Sequence, residues 1–547
     1  MSSPADLAFL GARLERVVPG SAPASALAVS GGRIVAVGTD ADVEPLIGPS
    51  TVVHRLDGET VLPGFQDAHI HPIYGGLLEF QANLHDLPDL DAYLAAVAAF
   101  AASHPDDEWI EGDGWIYSPF PGGRPRREDL DRVVPDRPVY ITAYDGHSAW
   151  VNSRALELAG VTADTPDPAG GRIERDPDGT PTGMLAEDAQ GLVDRLVPDA
   201  SDERLDAALV EAQRHLHSLG ITAWHDAGVD PPWLPVYIRA AADGRLTARV
   251  SAAQQWQPWA RDREPDPLPR LLDGRDRARF ARLRADTVKF WLDGVFENGT
   301  AALLEPYLGA DDASSPSTRY MYDHAELADA VTDLERRGFD IHFHAIGDAA
   351  TRQGLDAFAA SDAARHVDGL GDGRRSIAHL ELIDAADIPR FAELGVAANI
   401  QPLWAHDETE TRAIQVPMIG EARYHARYAF GDLHRAGARI AGGSDWTVTS
   451  ANPLEEMEVA IRRAFPTTPD DPPWRPNQRL DLETALAAFT IGAAWVNRLE
   501  TETGSLEIGK LADLAVLDRD LRAVPDGRLS QARVRMTFVE GAPVFEG

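Results

Sequence analysis

Eight short apolar segments recur through the middle of the chain, at 61–71, 220–227, 248–255, 287–293, 340–346, 376–382, 396–402 and 439–445. Amphipathic stretches separate most of them. Those at 202–219, 324–337 and 452–463 carry apolar residues at three- and four-residue spacing, the period of a half-buried helix. Strands alternating with helices imply parallel pairing, and eight units imply a closed (β/α)8 barrel, the TIM-barrel form of the α/β class. An open, doubly wound sheet is the alternative.

Both ends of the chain read differently. Apolar runs at 7–14, 26–29 and 33–37, and again at 513–517, 533–538 and 543–545, are broken by Gly31-Gly32, Gly38, Gly509, Gly527 and Gly541. Each end is too small to bury a core alone, so the two are expected to join as one β-sandwich. Residues 72–201, between the first strand and the helix before the second, are far too many for a loop. The expected domains are therefore a sandwich (1–60 with 500–547), a barrel (61–74 with 201–499) and a subdomain inserted after strand one (75–200). In a barrel, such an insertion sits over the active-site face.

A formal net charge of −36 argues against nucleic acid, which needs clustered cations. No stretch approaches the ~20 apolar residues of a membrane span. The chain has no cysteine, so neither disulfides nor thiolate chemistry is available. Met1 to Asp6 has no basic, apolar leader, and a cytoplasmic location is expected. The expected partner is a small molecule, and a homo-oligomer is compatible with this reading.

Polar residues interrupt the apolar strands at particular places. His69 and His71 form His-x-His at the end of the first strand, where a side-chain period of two points both rings the same way. Lys289 lies in strand four, His342 and His344 in strand five, His379 in strand six, and Asp445 ends strand eight. A buried ionisable group without a partner costs several kcal/mol. One shared metal at the barrel mouth satisfies all of them together. Taken singly, each also reads as a hydrogen-bonded core residue, and Lys289 could pair with a carboxylate such as Asp293. The only lysines are Lys289 and Lys510; elsewhere the chain uses arginine, which cannot give up its proton.

The run from Val61 to His71, with Gly64-Phe65-Gln66-Asp67-Ala68-His69-Ile70-His71, resembles the first-strand signature of the amidohydrolase superfamily. His344-Ala345-Ile346-Gly347-Asp348, Gly443-Ser444-Asp445-Trp446 and the stretch from Gly504 to Leu514 resemble its family 3 branch, which includes N-substituted formamide deformylase. The resemblance covers essentially the whole chain. It implies a hydrolase with one or two divalent metals, zinc first, acting on a carbon–nitrogen bond other than a peptide bond; a decarboxylase or isomerase on the same scaffold is the alternative. Carried over by residue, it implies His69, His71, Lys289, His344, His379 and Asp445 as metal ligands, Lys289 as a carboxylated bridge, and Asp445 as the catalytic group that moves the water proton. His342 is a rival ligand to His344. No Gly-x-Ser-x-Gly elbow, phosphate-binding loop or dinucleotide fingerprint competes.

Aromatic residues cluster where the mouth should be. Trp291, Trp404 and Trp446 lie at or just past strand ends, and Trp115, Tyr117 and His147 lie in the insertion. Trp115, His147, Trp291 and Trp446 are the expected substrate contacts, and they imply a substrate with an apolar side.

Overall fold

In the computed structural model, which describes residues 4–168, 170–257, 264–309, 320–368, 373–468 and 470–547, one sheet dominates the chain. Its strands are β1 (Phe65–Ile70), β2 (Ile221–Val229), β3 (Arg249–Gln255), β4 (Leu283–Trp291), β5 (Asp340–Ala345), β6 (Arg375–His379), β7 (Val396–Ile400) and β8 (Arg439–Gly442). They pair in sequence order, and every pairing is parallel. The two edge strands then meet. The Asp445 N–H donates to the His69 carbonyl at 2.8 Å, and the His71 N–H donates to the Trp446 carbonyl at 3.0 Å. The Asn399 side-chain amide donates to the Ala68 carbonyl at 2.7 Å across the same seam. The sheet is thus rolled into a barrel and is not the open alternative.

The strands read as continuous apolar runs because both faces are covered. Helix Asp202–Ser218 shows how the covering layer forms. Ser201 caps it by accepting from the Arg204 N–H, and Leu205, Ala208, Leu209, Ala212 and Leu216 bury one stripe. Helix His324–Arg336 repeats the pattern, with Asp323 as cap and Leu327, Val331 and Leu334 buried.

Two apolar runs split where the sequence suggested single strands. The run at 61–71 divides at Gly64: Thr60–Pro63 pairs with Leu514–Leu517, and only the part after Gly64 enters the barrel. A side chain at Gly64 would put its Cβ 2.4 Å from Thr222, so β1 and β2 approach as closely as they do only because residue 64 is glycine. The run at 7–14 divides at Gly11, whose φ of 71° turns the chain from one sheet to another.

Both chain ends contribute to those sheets. One has the order Arg33–Gly38, Ala26–Ser30, Leu7–Leu10, Val52–Arg55. The other has the order Arg13–Leu14, Thr60–Pro63, Leu514–Leu517, Val534–Val539, Ala542–Glu546. Leu7, Phe9, Val29, Val61, Leu514 and Phe538 share one core between them. The segment after β1 folds around its own six-stranded sheet, from Ala82–Asn83 to Gly171–Arg175, with helix Leu90–Ser103 against it. Trp115, Trp150, Tyr93 and Ile141 fill its core.

Candidate active site

Closing the barrel assembles the site, because the seam residues are the chemistry-bearing ones. Asp445 Oδ1 lies 3.3 Å from His69 Nε2 and 3.2 Å from His71 Nε2. Asp445 Oδ2 lies 3.9 Å from His379 Nδ1. One donor atom from each of His69, His379 and Asp445 lies within 4.8 Å of the other two. Gly443 makes the approach possible: a Cβ there would lie 2.7 Å from the Cβ and backbone nitrogen of His69. The His344 ring is 4.6 Å from that of His379, and its Nδ1 faces Asp293 Oδ1 at 3.3 Å.

The backbone is bent to aim these groups. His379, Leu380 and Asp445 have φ of 76°, 54° and 54°, the left-handed region that side chains other than glycine rarely adopt. The His379 N–H is caught by Gln401 Oε1 at 2.9 Å. Asp67 accepts from the N–H groups of His69 and Ser444, fixing both sides of the seam. Asp293 accepts from the N–H groups of Ala302, Ile346 and Gly347. It therefore orients the His344-Ala345-Ile346-Gly347 turn and does not pair with Lys289.

Electrostatics favour metal ligation. Burial, with Lys289 next in effect, holds His69 and His342 well below the usual histidine range. Burial also leads for His344 and His379, so these rings are neutral and keep a lone pair. Burial would raise Asp445, but the hydrogen bond from His71 and the nearby His379 and Lys289 outweigh it, and the carboxyl falls to about 2. Burial pushes Lys289 down to about 7, against the pull of Asp445 and Asp226. Its Nζ has no hydrogen-bond partner, and nor do His69 Nε2, His344 Nδ1 and His379 Nδ1, all sealed from solvent. Orphaned buried donors and acceptors cost about 1–3 kcal/mol each, more when charged. Imidazole nitrogens and a carboxylate are the donor set of zinc and similar divalent ions, so these residues fit a metal.

The expected substrate contacts divide. Trp291 lies at the site: its ring is 4.4 Å from Lys289 Nζ and 4.8 Å from the His344 ring. His147 reaches it from the insertion, 5.6 Å ring to ring from His344, with Nδ1 held by Glu187 at 2.8 Å. Burial lowers His147, but the Glu187 carboxylate outweighs it and lifts the ring to about 9. Trp404, the third tryptophan noted at a strand end, stacks on His379 at 5.2 Å and 6°. The other two expectations are corrected. Trp115 is fully buried inside the insertion, its indole N–H donated to the Ile141 carbonyl. The Trp446 ring stacks on His215 and packs over Gly75, so it faces the helix layer.

The sequence reading passed over His225 and Asp226 on β2, Asp67, Asn399 and Gln401 at the seam, and Glu187. The signal for Asp67, His225, Asp226 and Asn399 was available, since each is polar inside an apolar strand. Glu187 had none, because its partners Asn298 and Thr300 are remote in sequence.

Residues 53–545 match the amidohydrolase family. The chain belongs to that family. It is 31% identical over 507 residues to the protein LONG AFTER FAR-RED 3 of Arabidopsis thaliana, covering 90% of this chain and 84% of that one. It is 28% identical over 560 residues to N-substituted formamide deformylase of Arthrobacter pascens, covering 100% and 99%. The barrel and its additions superimpose on a metal-dependent hydrolase of Pyrococcus horikoshii with a TM-score of 0.74, at 24% identity, over 95% of this chain and 99% of that one. Within this amidohydrolase fold no helix among the described residues is long and apolar enough to cross a membrane.

Proposed function

We propose that this protein is a metal-dependent hydrolase that breaks a non-peptide carbon–nitrogen bond (an amide, formamide or cyclic amide) in a small molecule. The observation that carries the reading is the convergence of sealed, unpartnered ring nitrogens of His69 and His379 on the Asp445 carboxylate, with the His344 ring beside that of His379. His69, His71, His344, His379, Asp445 and Lys289 would hold one or two divalent ions, zinc first. Such an ion, when bound, lowers the pKa of a water molecule and polarises a carbonyl.

The chain's own residues do the rest. Asp445 Oδ1 lies nearer the His-x-His pair, 3.2 Å from His71 Nε2, and Oδ2 is the oxygen proposed to take the water's proton and return it to the leaving nitrogen. An unmodified Lys289 ammonium has no lone pair and would repel a dication. As a neutral amine, its nitrogen can attack carbon dioxide and release a proton, giving a carbamate with two oxygens for a bridge. Trp291 and Trp404 flank His344 and His379, which favours a substrate with an apolar side. His147, held by Glu187, would supply a polar contact from the insertion. The likeness to N-substituted formamide deformylase makes N-formyl amines the first substrates to try.

Metal-loaded protein should be offered N-formyl and N-acyl amines, hydantoins and lactams in heavy-oxygen water. The expected outcome is one solvent oxygen in the acid product, with a free amine released from the formyl and acyl substrates and a ring-opened acid from the cyclic ones. Turnover that leaves solvent oxygen out of the product would contradict hydrolysis and favour decarboxylase or isomerase chemistry.

A further inference from the structure

His342 was a rival for the place of metal ligand, and its surroundings give it another part. It lies on β5 one inward position before His344, fully buried. Both of its ring nitrogens are engaged. Nε2 lies 2.8 Å from His69 Nδ1, and Nδ1 lies 2.6 Å from Ser376 Oγ on β6. His69 is engaged at Nδ1 in the same way, while its Nε2 faces Asp445 with no hydrogen-bond partner. A neutral imidazole carries one proton, and a ring nitrogen that ligates must not carry it.

Proton positions then follow along the chain. If His69 ligates through Nε2, its proton is on Nδ1 and is donated to His342 Nε2. His342, having accepted there, carries its own proton on Nδ1 and donates it to Ser376 Oγ. The Ser376 hydroxyl, accepting there, must direct its own hydrogen elsewhere, and Ser376 borders a small cavity with His225, Thr287 and Asp340. The reverse polarity would place the His69 proton on Nε2 and block ligation. We infer that Ser376 and His342 are positioning residues that fix the tautomer of His69, so that its Nε2 is presented to the metal and His342 is not itself a ligand.

The inference rests on the metal reading above but not on the reaction assigned to it. A second histidine as acceptor is unusual among the partners of ligating histidines, which are mostly carboxylates, backbone carbonyls or water. It adds no negative charge beside the metal. His225 lies beside His342, with ring centroids 4.9 Å apart, but both His342 nitrogens are already engaged by His69 and Ser376.

Two measurements on the full-length protein test this. Proton–nitrogen NMR of the histidine rings in zinc-loaded protein should show His342 protonated at Nδ1, with a zinc-dependent nitrogen shift at His69 Nε2 and none on His342. Zinc affinity, measured by chelator competition, should fall about 10–100-fold in His342→Phe. His342→Gln, whose side-chain carbonyl can accept the same proton, should recover most of that loss, and Ser376→Ala should show a smaller one. The Gln and Ala variants keep the test intact if the Phe variant does not fold. An Nε2-protonated His342, a zinc shift on its ring, or wild-type zinc affinity in both His342→Phe and Ser376→Ala would overturn the inference. Zinc-shifted histidines with no hydrolysis of any substrate would instead defeat the proposed reaction and leave this inference standing.

Discussion

Lys289 is the residue whose environment is hardest to explain without a ligand. It is fully buried, its Nζ has no hydrogen-bond partner, and it sits 4.4 Å from the centre of the Trp291 ring. A cation–π contact offsets about 2 kcal/mol when desolvated, less than the several kcal/mol needed to bury an ammonium. Lys289→Ala should therefore fold at least as stably as the metal-free wild type while losing metal and activity. Added acetate or propionate should restore part of both, by supplying the missing oxygens. Activity in Lys289→Arg at the wild-type level would count against the carbamate. At this scale much of the site was legible. His69, His71, His344, His379 and Asp445 stand out as polar residues in apolar strands. The tryptophans were less so, because Trp115 and Trp446 occupy suggestive positions while neighbours such as Ile141 and His215 decide where each ring goes. The part played by His342 was hidden for the same reason, since its partners lie on two other strands.

At the scale of elements, the seam between β1 and β8 does two jobs, closing the sheet and setting the distance between the His-x-His pair and Asp445. Asn399 on β7 ties it together: Nδ2 donates to the Ala68 carbonyl at 2.7 Å, and Oδ1 accepts from Gln401 Nε2 at 3.0 Å. Gln401 in turn holds the His379 N–H. Asn399→Leu would leave a buried carbonyl and a buried amide unpaired, so stability should fall by about 1–3 kcal/mol per group. A larger relative loss should appear in metal affinity, and denaturant melts with metal titrations would show both. Unchanged metal affinity would mean the seam is held without Asn399. The eight-strand alternation was plain in the sequence because both faces of each strand are covered. The breaks at Gly11 and Gly64 were not, since an apolar run does not reveal which of two sheets it enters.

At the scale of the whole molecule, the C-terminal segment is fastened to the barrel by a charge cluster centred on the buried Arg249–Asp513 pair. Arg249 at the start of β3 donates to Asp513 at 2.7 Å and to Glu540 at 2.7 Å, and Arg282 reaches Glu540 at 3.0 Å. The stretch from Gly504 to Leu514 thus reads as structural: Lys510 holds the Glu500 and Thr503 carbonyls, and Asp513 holds Arg249. Asp513→Ala leaves the buried Arg249 guanidinium with Glu540 as its remaining carboxylate partner and should cost about 3 kcal/mol, the low end for a broken buried pair. Burial would raise Glu540, but Arg249 and Arg282 outweigh it and the carboxyl lies below its ordinary value of 4.5. A carboxyl depressed by folding adds stability above its unfolded value and loses it as pH falls through the folded one. Thermal stability should therefore drop on the acid side of 4.5, and Glu540→Gln should flatten that drop.

In the function proposed above, the histidines and Asp445 at the seam hold a divalent ion on which hydrolysis depends. Titrating zinc into chelator-stripped protein, while following release of amine from an N-formyl or N-acyl substrate, tests it most directly. Activity should be absent at the start, rise with added zinc and saturate at about one or two equivalents per chain, the number that a site for metal-activated water requires. Full hydrolysis by the stripped protein, with no response to zinc, would rule out a metal-dependent site.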